Sequence, residues 1–588
     1  MKQRPAPFRS SCQRAVVTLS AVLALLATSL SARAEDTAFI ALCFHDVRHV
    51  SEPHLSTDTI TINTNQLVAQ LEWLRSHGYQ AVRIGDIIDA KAGKKPLPPK
   101  AVLLTFDDGY DSFFSQVYPL LQFYQMPAVL GLVTSWMEKG PSDSIEYTAT
   151  PIPRQALLNW DQVRSMVKSG WVEVASHSHD LHRGIMANPQ GNTQPAASTR
   201  RYDAQLHHYE SDDEYRARIQ GDLTQSIAII ERETGAKPRA LIWPFGSFTG
   251  DGVSIAQKLG MAVTMGLTDG RNATNDVSAL RRFLVRDGAT LSDLAWDIHN
   301  VDYRDPRRAV FLRLDTIYDP DPAVQENNLG AALERIKQLG SNAVIVLPLA
   351  DADANGLFEE AYFANDQLPL RTDLFNRTAW QLRTRTHAKV YAWTPVYGFG
   401  TAEDSGAVVD VARLYGAMAK HADFFGAVVE LDPRPTSATP PRMRGADIKA
   451  LINDMKRHRP ELITAVMTDA AVTDQLLTGS LPLGVRDAYA AADMALLSAP
   501  TLWQDDAALD RFAAQLAALP NGRGQTIVML PPRTAQASAA TMSELAARSA
   551  RKMLARGIKS FALADDTFLR DDAALAAAKR SLSLISIP

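Results

Sequence analysis

Cysteine is almost absent from this chain: Cys12 and Cys43 are the two in 588 residues. Cys12 lies in a segment with the marks of a secretory signal, so its removal leaves Cys43 alone and excludes an internal disulfide. The apolar stretch Ala15–Leu30 follows Lys2, Arg4, Arg9 and Arg14, and small residues Ala32-Arg33-Ala34 precede Glu35. A bilayer needs about 20 apolar residues, so residues 1–34 read as a signal peptide rather than a span. Basic charge is short as well. Removing residues 1–34 takes away five basic residues and no acidic one, leaving 56 Lys+Arg against 65 Asp+Glu, a net charge of −9. Polyanion binding needs a basic face, which argues against nucleic acid as a partner. Hydrophobic residues at 46% and charged ones at 21% fit neither a disordered chain nor a membrane bundle. A chain this long exceeds one core, so two domains or more are expected.

What is present is strand–helix alternation, twice over. In the first half, strand-like runs lie at 39–44, 101–105, 128–133, 172–176, 240–243, 262–267 and 281–285, with helical stretches such as 64–77, 161–169 and 212–234 between them. Such alternation predicts an α/β layered or barrel domain with its site at the strand ends. The polar segment 189–211 reads as a surface insertion near that site. A charged linker follows, and the alternation restarts at 309–315, 343–349, 389–395, 426–431, 462–467, 494–498, 526–530 and 560–563. Eight strand–helix units over this length match one (β/α)8 barrel. The expected division is a signal at 1–34, a first domain at 35–286, a linker at 287–308 and a barrel at 309–588.

Chemistry concentrates in two motifs of the first half. Thr105–Ser112, T-F-D-D-G-Y-D-S, closes the apolar run A-V-L-L, and S-H-S-H-D-L-H follows about seventy residues later. Asp-Asp-Gly alone also makes an ordinary turn, because Asp and Gly suit turn backbones. Together with His177, His179 and His182, however, it supplies one carboxylate and two imidazoles, the ligand mixture of a catalytic transition-metal site with an open position. Asp108, His177 and His182 form that set, with His179 as an alternative to His182 or as a group behind the ligands. Asp107 then serves as the base that takes a proton from water. His45, in C-F-H-D-V, is placed across from it as the acid, with Asp46 beside it. Cys43, in an apolar run, reads as a buried core thiol.

These motifs, with W-P-F-G at Trp243 to Gly246, resemble the NodB-type polysaccharide deacetylases. Because F-H-D-V stands at the start rather than the end, the chain looks like the circularly permuted PgaB/HmsF branch, periplasmic N-deacetylases of poly-β-1,6-N-acetylglucosamine. The resemblance implies Asp107 as base, Asp108, His177 and His182 as ligands of one divalent transition metal (zinc first, with cobalt, nickel or iron as alternatives) and His45 as acid. It implies that Trp243, Pro244 and Phe245 line an acetyl pocket and offer a backbone N–H to the oxyanion, with Tyr110 and Asp46 also assigned to the substrate. It further implies a NodB-type deformed (β/α) barrel followed by the second barrel. One departure is expected to slow the enzyme: many NodB-type proteins carry an arginine before that proline, and here Ile242 and Trp243 stand there.

The likeness continues through I-Y-D-P-D-P (Ile317 to Pro322), Asp373 to Arg385 and V-Y-A-W-T-P (Val390 to Pro395), which look like the PgaB C-terminal barrel that binds, and in several members cleaves, the polymer. Cleavage needs carboxylates flanking the bond, roughly 5–10 Å apart. After the fourth strand the chain reads E-L-D-P-R-P-T-S-A-T-P-P-R (Glu430 to Arg442). Asp432 matches one family carboxylate, but Leu431, Arg434, Pro435 and Arg442 replace acids, so loss of glycosidase activity is expected. Asp315, Asp319, Asp351, Asp353, Asp469, Asp565 and Asp566 near strand ends read as loop acids and caps or as sugar contacts, and Tyr318, Trp393 and Tyr397 as ring-stacking or core groups. The expected partner is poly-N-acetylglucosamine, whose partly deacetylated form suits the acidic charge. An outer-membrane export porin follows from the family, and the protein is read as a periplasmic monomer without a lipobox. Two alternatives stand beside this reading: a deacetylase of a chitin-like or peptidoglycan polymer, and a polysaccharide-binding export factor with a vestigial site.

Overall fold

In the computed structural model, β1 (Ala38–Phe44) and β2 (Ala101–Phe106) run parallel in register from Phe39↔Ala101 to Phe44↔Phe106. The structure describes residues 38–52, 59–146, 151–300, 305–353, 355–399, 409–431, 445–468, 492–498, 505–518, 525–530, 539–563 and 566–582. Both strands are buried along nearly their whole length, as expected for a parallel sheet covered on its two faces. Beyond β2 come β3 (Ala128–Leu132), β4 (Val172–Ser176), β5 (Ala240–Ile242) and β6 (Val263–Met265), all parallel. β7 (Phe283–Leu284) pairs with the far side of β1, and a parallel bridge joins Met265 to Leu280. The sheet thereby curls towards closure, the deformed barrel that the family resemblance implies.

Contacts divide the chain into two compact units, 1–183 with 217–247 and 253–302, and 184–216 with 248–252 and 303–588. The polar segment 189–211 therefore counts with the second unit. The stretch 287–308, read from its charge as a linker, instead contains a helix, Leu291–His299, that counts with the first unit. A Thr290/Asp293 capping box starts it, and Leu294 and Ile298 bury its inner face. That burial is what the charge count concealed.

The second unit contains the closed barrel: β8 (Arg308–Arg313), β9 (Ala343–Leu347), β10 (Lys389–Pro395), β11 (Gly426–Glu430), β12 (Ile463–Thr468), β13 (Met494–Ser498), β14 (Thr526–Met529) and β15 (Phe561–Leu563). All eight are parallel, and β15 returns to β8. Phe311, Ile345, Tyr391, Val428, Met467 and Leu496 belong to one buried cluster, while Val310, Val346 and Val429 belong to another with helical residues such as Leu333 and Leu414. Strand alternation sorts the two sets. Among the described residues no helix is long and apolar enough to cross a membrane.

Candidate metal centre and its base

The strand end of β2 splits the two carboxylates. Asp107 N–H still donates to Phe44 O at 2.9 Å, prolonging the β1–β2 pairing by one residue. Asp108 and Gly109 then both take positive φ, 73° and 77°. Asp tolerates this region better than most side chains, and at Gly109 a Cβ would meet Leu132 Cδ2 at 2.7 Å. The turn sends the neighbouring carboxylates to different partners.

Asp108 turns to the histidines. His177 follows β4, its N–H donating to Leu132 O at 2.9 Å, and its Nδ1 lies 2.8 Å from Ile242 O. A carbonyl on Nδ1 fixes the proton there and leaves Nε2 as the lone-pair nitrogen. His182 is held between Trp136 (ring centroids 4.9 Å) and Phe245 (4.5 Å). The two Nε2 atoms lie 3.4 and 3.3 Å from Asp108 Oδ1, and one donor atom from each of the three residues falls within 4.8 Å of the others. Asp108 is fully buried, and neither of its oxygens has a hydrogen-bond partner. A buried carboxylate left without donors opposite two imidazoles is costly unless a cation joins them, so the residues fit a divalent ion.

Burial alone would raise the Asp108 carboxyl, but the facing His182 and His177 outweigh it and hold it well below the usual range. Burial pulls His182 down towards the neutral, ligating form. Spacing left His179 and His182 interchangeable. The fold separates them: His179 Nδ1 lies 3.0 Å from Thr134 Oγ1, and His179 is not among the clustered donors.

Asp107 turns instead to Arg282 and Cys43. Arg282 Nη1 donates to Asp107 Oδ1 at 2.8 Å and to Thr105 Oγ1 at 3.0 Å, while its Nε donates to Gly266 O at 2.8 Å. Burial pushes Asp107 up, and Arg282, helped by His177 and His45, more than reverses this. No arginine stands before the proline, and the one that meets Asp107 comes from just ahead of β7. The sequence signal was a charged residue inside a strand-like run. Cys43, buried as expected, sets its thiol 3.4 Å from Asp107 Oδ2. His45, expected across from Asp107, lies beside it: a ring nitrogen, Cys43 Sγ and an Asp107 oxygen fall within 4.8 Å of one another. His45 is buried, and its Nδ1 has no hydrogen-bond partner.

The residues expected to touch substrate are placed unevenly. Trp243 is fully buried, and its Nε1 donates to Thr264 Oγ1 at 3.0 Å, so the indole supports the site from behind. Pro244 is buried too, whereas Phe245 is 42% exposed beside His182. Asp46 accepts from Ser112 Oγ at 2.7 Å and Arg48 Nε at 2.8 Å, which occupies both oxygens in holding the loop after β1. Tyr110 is buried in a cluster with Val133, Trp136 and Leu157. Asp432, with Asp469 and Asp565, lies outside the described residues. At the strand ends of the second barrel, Trp393 Nε1 donates to Glu430 Oε2 at 2.9 Å, Tyr362 O–H donates to Asp315 Oδ1 at 2.9 Å, and Arg371 lies over the Tyr318 ring.

Residues 94–264 match the family described as polysaccharide deacetylase, and residues 311–427 the one described as hypothetical glycosyl hydrolase family 13. The chain is 35% identical over 358 residues to the poly-beta-1,6-N-acetyl-D-glucosamine N-deacetylase of Escherichia coli (strain K12), covering 61% of this chain and 53% of that protein. The chain thus spans about half the length of these curated relatives. Among solved structures, a de-N-acetylase from Aggregatibacter actinomycetemcomitans is 35% identical (44% of this chain, 99% of that one, TM-score 0.41). The BpsB deacetylase domain of Bordetella bronchiseptica is 39% identical (42% and 96%, TM-score 0.39).

Proposed function

Starting from the polysaccharide deacetylase domain that residues 94–264 carry, we propose that this protein removes N-acetyl groups from poly-β-1,6-N-acetylglucosamine. The observation that carries the reading is the junction of two buried sets, Asp108 with His177 and His182, and Asp107 with Arg282. The activity of the 35%-identical Escherichia coli relative supplies the polymer.

Asp108, His177 and His182 would hold a divalent cation, zinc by preference for this donor set, which would supply Lewis acidity towards the amide carbonyl and lower the pKa of water towards about 7. Asp107, kept ionised by Arg282, takes the proton of the attacking water. The water oxygen bonds to the acyl carbon, the C–N bond breaks, and His45 returns a proton to the departing amine. Acetate and a free glucosamine nitrogen are the products. Phe245 is the exposed wall against which the acetyl group or sugar ring rests.

The second barrel binds the polymer on this reading, with Trp393, Glu430 and Tyr318 as its contacts. The expected loss of glycosidase activity turns on Arg434, Pro435 and Arg442, which lie outside the described residues. Export through the signal-like residues 1–34, action in the periplasm and delivery to an outer-membrane porin belong to the same proposal. The reading is tested by acetate release from β-1,6-linked N-acetylglucosamine oligomers. Release should stop on chelation and return with zinc or cobalt, whereas release that ignores the chelator would sink the metal-assisted mechanism.

A further inference from the structure

The loop that carries both histidine ligands, residues 177–182, is clamped from two sides. On one side Thr134 and Ser135 N–H donate to Ser178 O and His179 O, each at 3.1 Å. On the other, helix α1 (Asp212–Thr234) presents Asp222 and Ser226, one turn apart and so on the same face. Asp222 Oδ1 accepts from His179 N at 2.8 Å and its Oδ2 from Asp180 N at 2.7 Å. Ser226 Oγ lies 2.8 Å from Ser176 Oγ, which itself accepts from Ser178 N at 3.1 Å.

The clamp opposes a real cost. Ser178 sits at φ 72°, a left-handed conformation that serine rarely adopts. Two successive N–H groups aimed at one carboxylate are the natural consequence of that backbone, and a carboxylate is the acceptor that serves both at once. With the bend fixed, His177 lies before it and His182 after it, and their Nε2 atoms come to 3.4 and 3.3 Å from Asp108 Oδ1.

We propose that Asp222 is a positioning residue for the cation site: it holds the backbone N–H groups of His179 and Asp180 and sets the bend that brings the two imidazoles to Asp108. This rests on the metal reading above. Groups behind the ligands of a metal centre commonly contribute ten- to a hundredfold in affinity, so that is the size of effect expected.

The test measures cation affinity on the full chain by competition with a chromophoric chelator, alongside the visible spectrum of the cobalt form. Asp222→Ala should bind cobalt about ten- to a hundredfold more weakly, with an altered spectrum. Asp222→Asn keeps the shape but offers one acceptor in place of two, and should fall between it and the parent. Activity should return towards the parent value at saturating cation. If Asp222→Ala does not fold, the Asn variant carries the test. Unchanged affinity and spectrum in folded variants would overturn the proposal. A parent protein that binds no cation, or that binds it equally well after Asp108→Ala, would overturn the metal reading and this proposal with it.

Discussion

Arg282 Nη1 lies 2.8 Å from Asp107 Oδ1, and both side chains are shut off from solvent. A buried guanidinium against a buried carboxylate keeps that carboxylate ionised where burial alone would protonate it. A base is useful only while ionised, and the lowered pKa of Asp107 keeps it ionised at every pH at which the histidine ligands are neutral. Replacing Arg282 by Met removes the largest of the groups that oppose burial and should move the acid limb of the kcat/KM profile to higher pH. An unmoved limb would show that Arg282 does not tune the base. The same pair contributes stability above the unfolded carboxylate pKa of about 3.9, which is lost as pH falls through the lowered folded value. Breaking a buried pair costs about 3–5 kcal/mol, readable in chemical denaturation at neutral pH.

Asp373, in the second unit, behaves in the opposite sense. Burial raises its carboxyl to about 6, against the lowering hydrogen bond from Tyr209. A carboxyl raised above its unfolded value of about 3.9 favours folding while protonated. That contribution is whole below about pH 3.9 and disappears as pH rises through about 6, a loss of about 3 kcal/mol. Asp373→Asn should therefore be more stable than the parent at pH 7 and nearly equal to it at pH 4. Denaturant midpoints at the two pH values, read on the transition of the second unit, check this.

Cys43 should be inert in the native state. Its thiol is fully buried and held well above the ordinary cysteine pKa, first by burial, and the thiolate is the reactive form. In protein lacking residues 1–34, a thiol reagent should titrate about zero groups in buffer and one in denaturant. Prompt labelling in buffer would contradict the packing around Asp107.

Cation removal should also register in stability. A ligand that binds only the folded state stabilises it, by about 2.7 kcal/mol at a hundred times its Kd. Chelation should lower the melting temperature of the parent, and Asp108→Ala should show no such response.

The sequence carried the strands, because a buried parallel strand is a local run of apolar residues: 172–176, 389–395 and 494–498 match their observed bounds to the residue. The Asp-Asp and histidine motifs were legible because each is a short contiguous stretch of the chain. Partners that arrive through tertiary packing were not legible. Arg282 is 175 positions from Asp107, and Asp222 is 43 from His179. The choice of His182 over His179 depends on the bend at Ser178, which spacing does not encode. Trp243, read as a pocket wall, is fully buried, and Thr264, 21 positions away, takes its indole N–H.

Mass spectrometry of β-1,6-linked N-acetylglucosamine oligomers, after incubation with the metal-replete full chain, tests the central claim most directly. An Asp108→Ala variant and a β-1,4-linked series run beside it. The account predicts loss of acetyl groups, without chain shortening, from the β-1,6 series alone and none with the variant. Unchanged masses in the β-1,6 series, or equal loss with Asp108→Ala, would contradict it.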